Sequence, residues 1–294
     1  MNHLAEDQIS KAAVLVEALP YIQAFRGQTF LIKVGGSAME DPELVDGLLR
    51  DVVFLEAVGV NPVLVHGGGK AISRAMADAG LEASWVGGLR VTDEAAVRVV
   101  EKVLGGELNP RLVETINRYG GRAKGISGLE VFKGSKKKGR GEDGSEVDLG
   151  FVGQVESVDT DAVMNELVRE VVPVVTPLGA EVGTGHPLNV NADLAASALA
   201  VALKAPKLIY LSDVLGVMGD PADGRTLIST VDGAAFERLS ADGTITGGML
   251  PKVESALEAI GAGVGKVHLV DGRIKHSLLL EVFTRDGIGT QIVA

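Results

Sequence analysis

The sequence predicts an α/β fold, a three-layer αβα sandwich whose central sheet is mostly parallel. Three observations carry that reading. Short β-rich runs alternate with longer stretches whose apolar residues recur at helical spacing, as expected when each strand returns to the sheet through a covering helix. Aromatic residues make up 4% of the chain against 46% apolar, so the core must be built from Val, Leu, Ile and Ala. Two runs, "TFLIKV" and "NPVLVH", pass straight into glycines, where a backbone must approach something closely.

Taken in order, residues 9–25, "ISKAAVLVEALPYIQAF", predict a helix that Pro20 kinks or interrupts. Ile9, Ala12, Val16 and Leu19 fall on one face, which either its own domain or another subunit must cover. Strands follow at 29–34, 62–66, 171–176, 207–212, 266–270 and 288–293. Helices are predicted at 42–59, 69–80, 93–104, 107–118, 160–169, 191–204, 231–240, 251–262 and 277–284. Residues 126–156 break the rhythm and read as β-hairpins projecting from the sheet. Their basic run "KGSKKKGR", 133–140, reads as a solvated hairpin tip, since Glu142 and Asp143 follow at once. No internal repeat and no Pro- or Ser-rich linker divides the chain.

Composition narrows the function. A net charge of −11 is the reverse of what a nucleic-acid binder carries, although a few focused Lys or Arg can still bind anions. The chain has no cysteine, hence no disulfide, thiolate nucleophile or Cys-based zinc site. The first 28 residues, with Glu6, Asp7 and Glu17, lack a signal-peptide centre, and the longest apolar stretch, 194–203, is too short to span a bilayer. The expected place is the cytoplasm, with no membrane contact.

Five short stretches carry chemistry. In "KVGGS" Lys33 puts an ammonium beside the exposed N–H groups of Gly35 and Gly36, a phosphate-binding arrangement; the alternative is a snorkelling Lys beside an ordinary turn. In "HGGGK" the N–H groups of Gly67, Gly68 and Gly69 meet a helix start, where anions bind. A dinucleotide fingerprint fails here, because its third glycine is Ile72. In "GGLRVT" Arg90 precedes an expected N-cap, Thr92, and suits a bidentate grip on a carboxylate. In "NVNAD" alternation sets Asn189, Asn191 and Asp193 on one side of an extended turn, unless they form only an Asx-type cap. In "TGGMLPKV" Pro251 marks a first helical position, which leaves Lys252 in an unfavourable first turn unless an anion offsets it. No G-x-S-x-G occurs, and His186 and His276 lack metal-ligand spacing. Two lysines, two glycine turns, an organising Asp and no nucleophile amount to phosphoryl transfer by positioning and charge neutralisation.

The set "KVGGSAM", "VHGGGK", "GLRVTD", "NVNAD", "LSDVLGVM", "ITGGMLPKV" and "LLLEVFTRDGIGTQI" resembles the acetylglutamate kinases of the amino-acid kinase family, in the same order over nearly the whole chain. The resemblance implies the amino-acid kinase fold and transfer of the γ-phosphoryl group of ATP, with Mg²⁺, to the side-chain carboxylate of N-acetyl-L-glutamate in arginine synthesis. It implies Lys33, Lys252 and Asp193 as catalytic residues, and Gly35, Gly36, Gly68 and Gly69 as the cradle of phosphoryl group and substrate. Arg90 and Asn189 would grip the α-carboxylate with Asn191 nearby, and Ser212, Asp213, Gly247 and Gly248 would meet the nucleotide. No metal site made by protein ligands is implied.

The extra N-terminal helix resembles the arginine-inhibited, hexameric branch, a trimer of dimers. That likeness implies an arginine site of Tyr21, His268, Glu281 and Gly287, and leaves open a nitrogen-signalling protein as partner. The implied parts are an N-terminal helix (1–26), an acetylglutamate lobe (27–187) and an ATP lobe with the arginine segment (188–294). Ser37 and Lys70 depart from the family's usual Asn and Pro. Rival readings are a carbamate, glutamate 5-, aspartate or uridylate kinase of the same fold, and a non-catalytic arginine-binding regulator.

Overall fold

The computed structural model describes residues 3–141, 144–220 and 222–294, without the side chains of 3–7, 37 and 38. The Ser37 side chain, Glu142 and Asp143, named above, therefore lie outside the described residues.

The chain begins with α1 (His3–Phe25), β1 (Thr29–Val34), α2 (Pro42–Ala57), β2 (Asn61–His66) and α3 (Gly69–Asp78). A short hairpin, β3 (Trp85–Val86) and β4 (Leu89–Arg90), leads to α4 (Glu94–Glu101), α5 (Asn109–Arg118) and β5 (Ala123–Ile126). Next come α6 (Gly128–Val131), β6 (Phe132–Arg140), β7 (Glu146–Val158), α7 (Asp161–Leu167), β8 (Val172–Val175), β9 (Leu178–Glu181) and β10 (Pro187–Val190). The last part holds α8 (Ala192–Ala202), β11 (Lys207–Ser212), β12 (Thr230–Val231), α9 (Gly233–Ala241), α10 (Met249–Gly261), β13 (Lys266–Asp271), α11 (Ser277–Phe283) and β14 (Thr290–Ile292).

Eight strands form the sheet in the order β12-β14-β13-β11-β1-β2-β8-β5, parallel throughout except for the β13/β14 pair. Strand alternation assigns side chains to two cores. Leu31, Val63, Val65, Leu208 and Tyr210 pack with Leu199 of α8 and Val253 of α10. Phe30, Ile32, Leu64, Ile209 and Leu211 pack on the other face with α2, α5 and α11. Four strands, β1, β2, β5 and β8, come from before residue 188 and four from after it, so β1 against β11 is the seam. Because β2, β1 and β11 run side by side in one direction, their C-terminal ends open together. The chain turns opposite ways on either side of β1, and ligands of open α/β sheets bind at such a point.

Four expectations change. Residues 126–156 do supply a hairpin, β6/β7, but it closes with β9 and β10 into a small barrel instead of projecting from the sheet. The basic run lies along β6 rather than at a tip, with Lys138 paired to Glu146 across the hairpin. The helices expected at 93–104 and 107–118 are joined by a π-helical turn over Lys102–Leu108. Burial of Val103, Leu104 and Leu108 there outweighs the roughly 1 kcal/mol that each of Gly105 and Gly106 costs in a helix.

The helix α1 also runs unbroken through Pro20. Its second half packs on the protein through Ala18, Tyr21, Ile22 and Phe25, whereas Ile9, Val14, Leu15, Val16 and Leu19 stay 48% to 69% exposed. Among the described residues, the chain's own domain therefore covers only the C-terminal end of this helix.

The barrel is tied to the segment after β4 by Thr92, whose N–H donates to the Leu149 carbonyl (2.9 Å) and whose carbonyl accepts from Phe151 N–H (2.6 Å). Gly150 sits between them at φ +69°, and a Cβ there would collide with the Thr92 carbonyl. Gly150→Ala should cost roughly 1–3 kcal/mol in urea unfolding. An unchanged midpoint would contradict the tie.

Candidate active site

The two glycine turns meet at the ends of β1 and β2. Gly67 N–H donates to the Val34 carbonyl (2.7 Å), and Gly35 N–H to the Leu211 carbonyl (3.2 Å). Of the four N–H groups expected to cradle an anion, that of Gly35 is thus already engaged. Gly36 opens a 3₁₀ turn and Gly68 and Gly69 open α3, where the first N–H groups have no partner inside the helix. Two of these glycines leave little room for a side chain. A Cβ on Gly35 would strike the Lys33 ammonium, and one on Gly68 would come within 2.7 Å of Leu104 and 2.8 Å of Leu108.

His66 fixes the second turn. It is fully buried, and burial pushes its imidazole down to about 4, so the ring is neutral. Asn109 donates to Nε2 (3.2 Å), which leaves Nδ1–H to donate to the Gly67 carbonyl (3.0 Å).

Lys33, Asp193 and Lys252, from β1, α8 and α10, converge. Asp193 Oδ1 lies 2.8 Å from Lys33 Nζ, and its Oδ2 accepts from Lys252 Nζ at 2.9 Å. Burial opposes ionisation of this carboxyl, but the two ammonium groups outweigh it and hold it at about 2. The α10 helix begins at Met249, two residues before the expected start, so Pro251 is its third residue and Lys252 its fourth. The anion that offsets Lys252 is Asp193 itself.

A cavity of about 210 Å³ opens beside this triad, lined by Lys33, both glycine turns, Ile72, Trp85, Arg90, Leu104, Val152, Pro177, Asn189 and Asn191, among others. Arg90 is only 5% exposed. Its guanidinium donates to the Gly69 carbonyl (2.8 Å) and Ser73 Oγ (2.6 Å), lies 3.5 Å from Met76 Sδ, and stacks on Trp85. None of these partners is a carboxylate, and burial lowers its pKa, so the cation has no counter-ion among the described residues.

Asp93, not Thr92, caps α4, accepting from Ala96 N–H. Thr92 Oγ1 instead donates to the Arg90 carbonyl and accepts from Asn189. Asn189, Asn191 and Asp193 do not share one extended turn. Asn189 is on β10, Asn191 caps α8 by accepting from Asp193 and Leu194 N–H, and Asp193 is in that helix. Trp85, Thr92 and Ser73 were not expected here. Two glycines flanked by Trp-Val and Leu-Arg are a hairpin pattern that would have paired Trp85 with Arg90.

The residues expected at the nucleotide are spread more widely. Ser212 Oγ is buried without a partner among the described residues, and Asp213 approaches Gly36. Gly247 and Gly248 are exposed and do not line the cavity.

Tyr21, His268, Glu281 and Gly287 do come together, in a second cavity of about 480 Å³ at the opposite ends of the strands. Glu281 is buried, not a surface residue. His268 Nδ1 donates to it (2.6 Å), and so do the N–H groups of Ile288 (2.7 Å) and Gly289 (3.0 Å). Burial opposes its charge, but these donors keep its pKa below the usual range. Burial pushes Lys207, 3.3 Å from His268 Nε2, down to about 8.

Because the folded pKa of Asp193 is depressed, its contribution is fully present above about 4 and is lost as pH falls towards 2. The shift from 3.8 to about 2 corresponds to roughly 2 kcal/mol. The stability gap between the native chain and Asp193→Asn should therefore narrow between pH 5 and pH 2.5 in urea titrations; a constant gap would contradict the bridge.

Residues 28–271 match the profile of the amino acid kinase family. The acetylglutamate kinase of Akkermansia muciniphila is 55% identical over 285 residues, spanning 97% of this chain and 96% of that one. Among solved structures, the N-acetylglutamate synthase of Neisseria gonorrhoeae is similar with TM-scores of 0.81 in its complex with coenzyme A and N-acetyl-glutamate, and 0.77 with coenzyme A and L-arginine. Those synthase chains are 29% and 28% identical and cover 96% of this chain, which spans only 63% and 65% of theirs. The chain belongs to the amino acid kinase family, among its acetylglutamate kinases.

Proposed function

We propose that the cavity beside Asp193 binds N-acetyl-L-glutamate and that the chain transfers to it the γ-phosphoryl group of ATP, giving N-acetyl-L-glutamyl 5-phosphate and ADP in arginine synthesis. The observation that carries the substrate is the lining. It holds two buried cations, Lys33 and Arg90, apolar walls, and no Asp or Glu among the described residues. Such a cavity suits a dicarboxylate whose amino group is masked; a free ammonium, as in glutamate or aspartate, would meet cations and no anion.

The acceptor carboxylate is already ionised, so no protein base or nucleophile is needed. Its oxygen forms the new O–P bond as the bond from the γ-phosphorus to the bridging oxygen breaks, with the electron pair leaving on ADP. Lys33 and Lys252 flank the migrating group and stabilise its charge while Asp193 keeps both in place. The N–H groups of Gly36, Gly68 and Gly69 face phosphoryl group and acceptor, with Gly35 shaping the turn. Arg90 and Asn189 hold the α-carboxylate, and Asn191, whose Oδ1 is spent on capping, offers only its N–H₂.

ATP lies against Ser212, Asp213, Gly247 and Gly248; the Ser212 hydroxyl, without a partner among the described residues, supports a polar ligand there. Mg²⁺ bound to the nucleotide would neutralise phosphate charge, and among the described residues no cluster of three acidic or His ligands competes to hold it.

The β1/β11 seam separates an acceptor lobe, 27–187, from a nucleotide lobe, 188–294. The exposed apolar half of α1 supports assembly through residues 1–26, as a hexamer of three dimers. The second cavity, with Tyr21, His268, Glu281 and Gly287, takes L-arginine as inhibitor; the L-arginine complex of the similar synthase favours this. The family likeness also admits a nitrogen-signalling partner and a cytoplasmic setting.

Trapping acyl phosphate with hydroxylamine should give hydroxamate with N-acetyl-L-glutamate and little with glutamate, aspartate or carbamate. Preference for an acceptor with a free amine would overturn the reading. Separately, Glu281→Gln should blunt inhibition by arginine while sparing turnover. Undiminished inhibition would remove Glu281 from the regulatory site.

A further inference from the structure

The chain's single tryptophan stands half exposed, at 54%, on the rim of the acceptor cavity. Trp85 and Arg90 are directly opposed in the antiparallel β3/β4 pair, and the guanidinium carbon lies 4.3 Å from the ring centroid. Gly87 and Gly88 between the strands have φ of +55° and +76°, the left-handed values that a two-residue hairpin turn demands. The turn thus sets the register, and the register sets the stack. A hairpin of two residues a side is not stable by its backbone alone, so the side chains must hold it.

Arg90 is secured on one edge by the Gly69 carbonyl and Ser73 Oγ, and on one face by the indole. A guanidinium held on edge and face is aligned before a ligand arrives, which lowers the ordering cost of binding.

We propose that Trp85 is a positioning residue for the acceptor: its indole holds the Arg90 guanidinium edge-on to the acceptor's α-carboxylate. This rests on the reading of the cavity as the N-acetyl-L-glutamate site. The ring contact of Trp85 is with Arg90, which this reading sets at the α-carboxylate and not at the migrating phosphoryl group, so its effect falls on acceptor affinity.

Trp85→Ala should raise KM for N-acetyl-L-glutamate by roughly three- to thirtyfold, the range of an aromatic–cation contact. KM for ATP and kcat should hold, and Trp85→Phe should recover most of the loss. Because Trp85 is the sole tryptophan, titrating the native chain with N-acetyl-L-glutamate alone should change its fluorescence, while ATP alone should not. Native turnover with an unchanged KM in Trp85→Ala, or a silent acceptor titration, overturns the inference and leaves the acceptor site standing. Absence of native turnover on N-acetyl-L-glutamate overturns both.

Discussion

One carboxylate shared by two ammonium groups sets the geometry of this molecule. Asp193 reaches Lys33 at 2.8 Å and Lys252 at 2.9 Å, joining the first strand of the sheet to a helix more than two hundred residues later. The carboxylate is itself well placed. It lies in the first turn of α8, where the helix dipole favours negative charge, and Asn191 caps that turn. Tyr210 donates to its backbone carbonyl (3.3 Å), so strand β11 braces the same point. Two lysines and one aspartate leave a single net positive charge at the mouth of a chain whose total is −11. That is how an acidic protein keeps a site for anions.

The parallel sheet gives this charge its surroundings at both ends. β11 carries Lys207, which lines the second cavity, at its first residue and the buried Ser212 at its last. At the C-terminal ends, buried cations face a cavity lined by no acidic residue among the described ones. At the N-terminal ends, Lys207 lies 3.3 Å from His268 Nε2, and His268 Nδ1 donates to Glu281 at 2.6 Å. One end offers cations with no carboxylate in its described lining, and the other holds the carboxylates Glu281 and Asp286 among Lys207, Lys266 and Arg285.

Much of this was legible in the sequence because the signals were local. The strands ending at Val34 and His66 are apolar runs stopped by glycine, and Lys33, Arg90, Asp193 and Lys252 were singled out from their motifs. What escaped depended on distant packing. The strands at 178–181 and 187–190 are four residues each, too short to show a period, and exist because β6 and β7 offer them partners. Gly105 and Gly106 read as a break because the apolar surface that carries the helix across them lies on α3. Pro251 marks a helix start in the sequence, yet proline is tolerated throughout the first turn, where its missing N–H is not needed, and the helix begins at Met249. Trp85 takes its meaning from the residue across the turn, Arg90, which only the hairpin register reveals.

The most direct measurement is a double-mutant cycle in kcat between Asp193→Asn and Lys252→Ala, with N-acetyl-L-glutamate and ATP saturating. If the carboxylate acts by holding the lysine, the double variant should be no slower than the slower single variant. Fully additive losses would mean that the two groups act independently, and the bridge would lose its place at the centre of the chemistry.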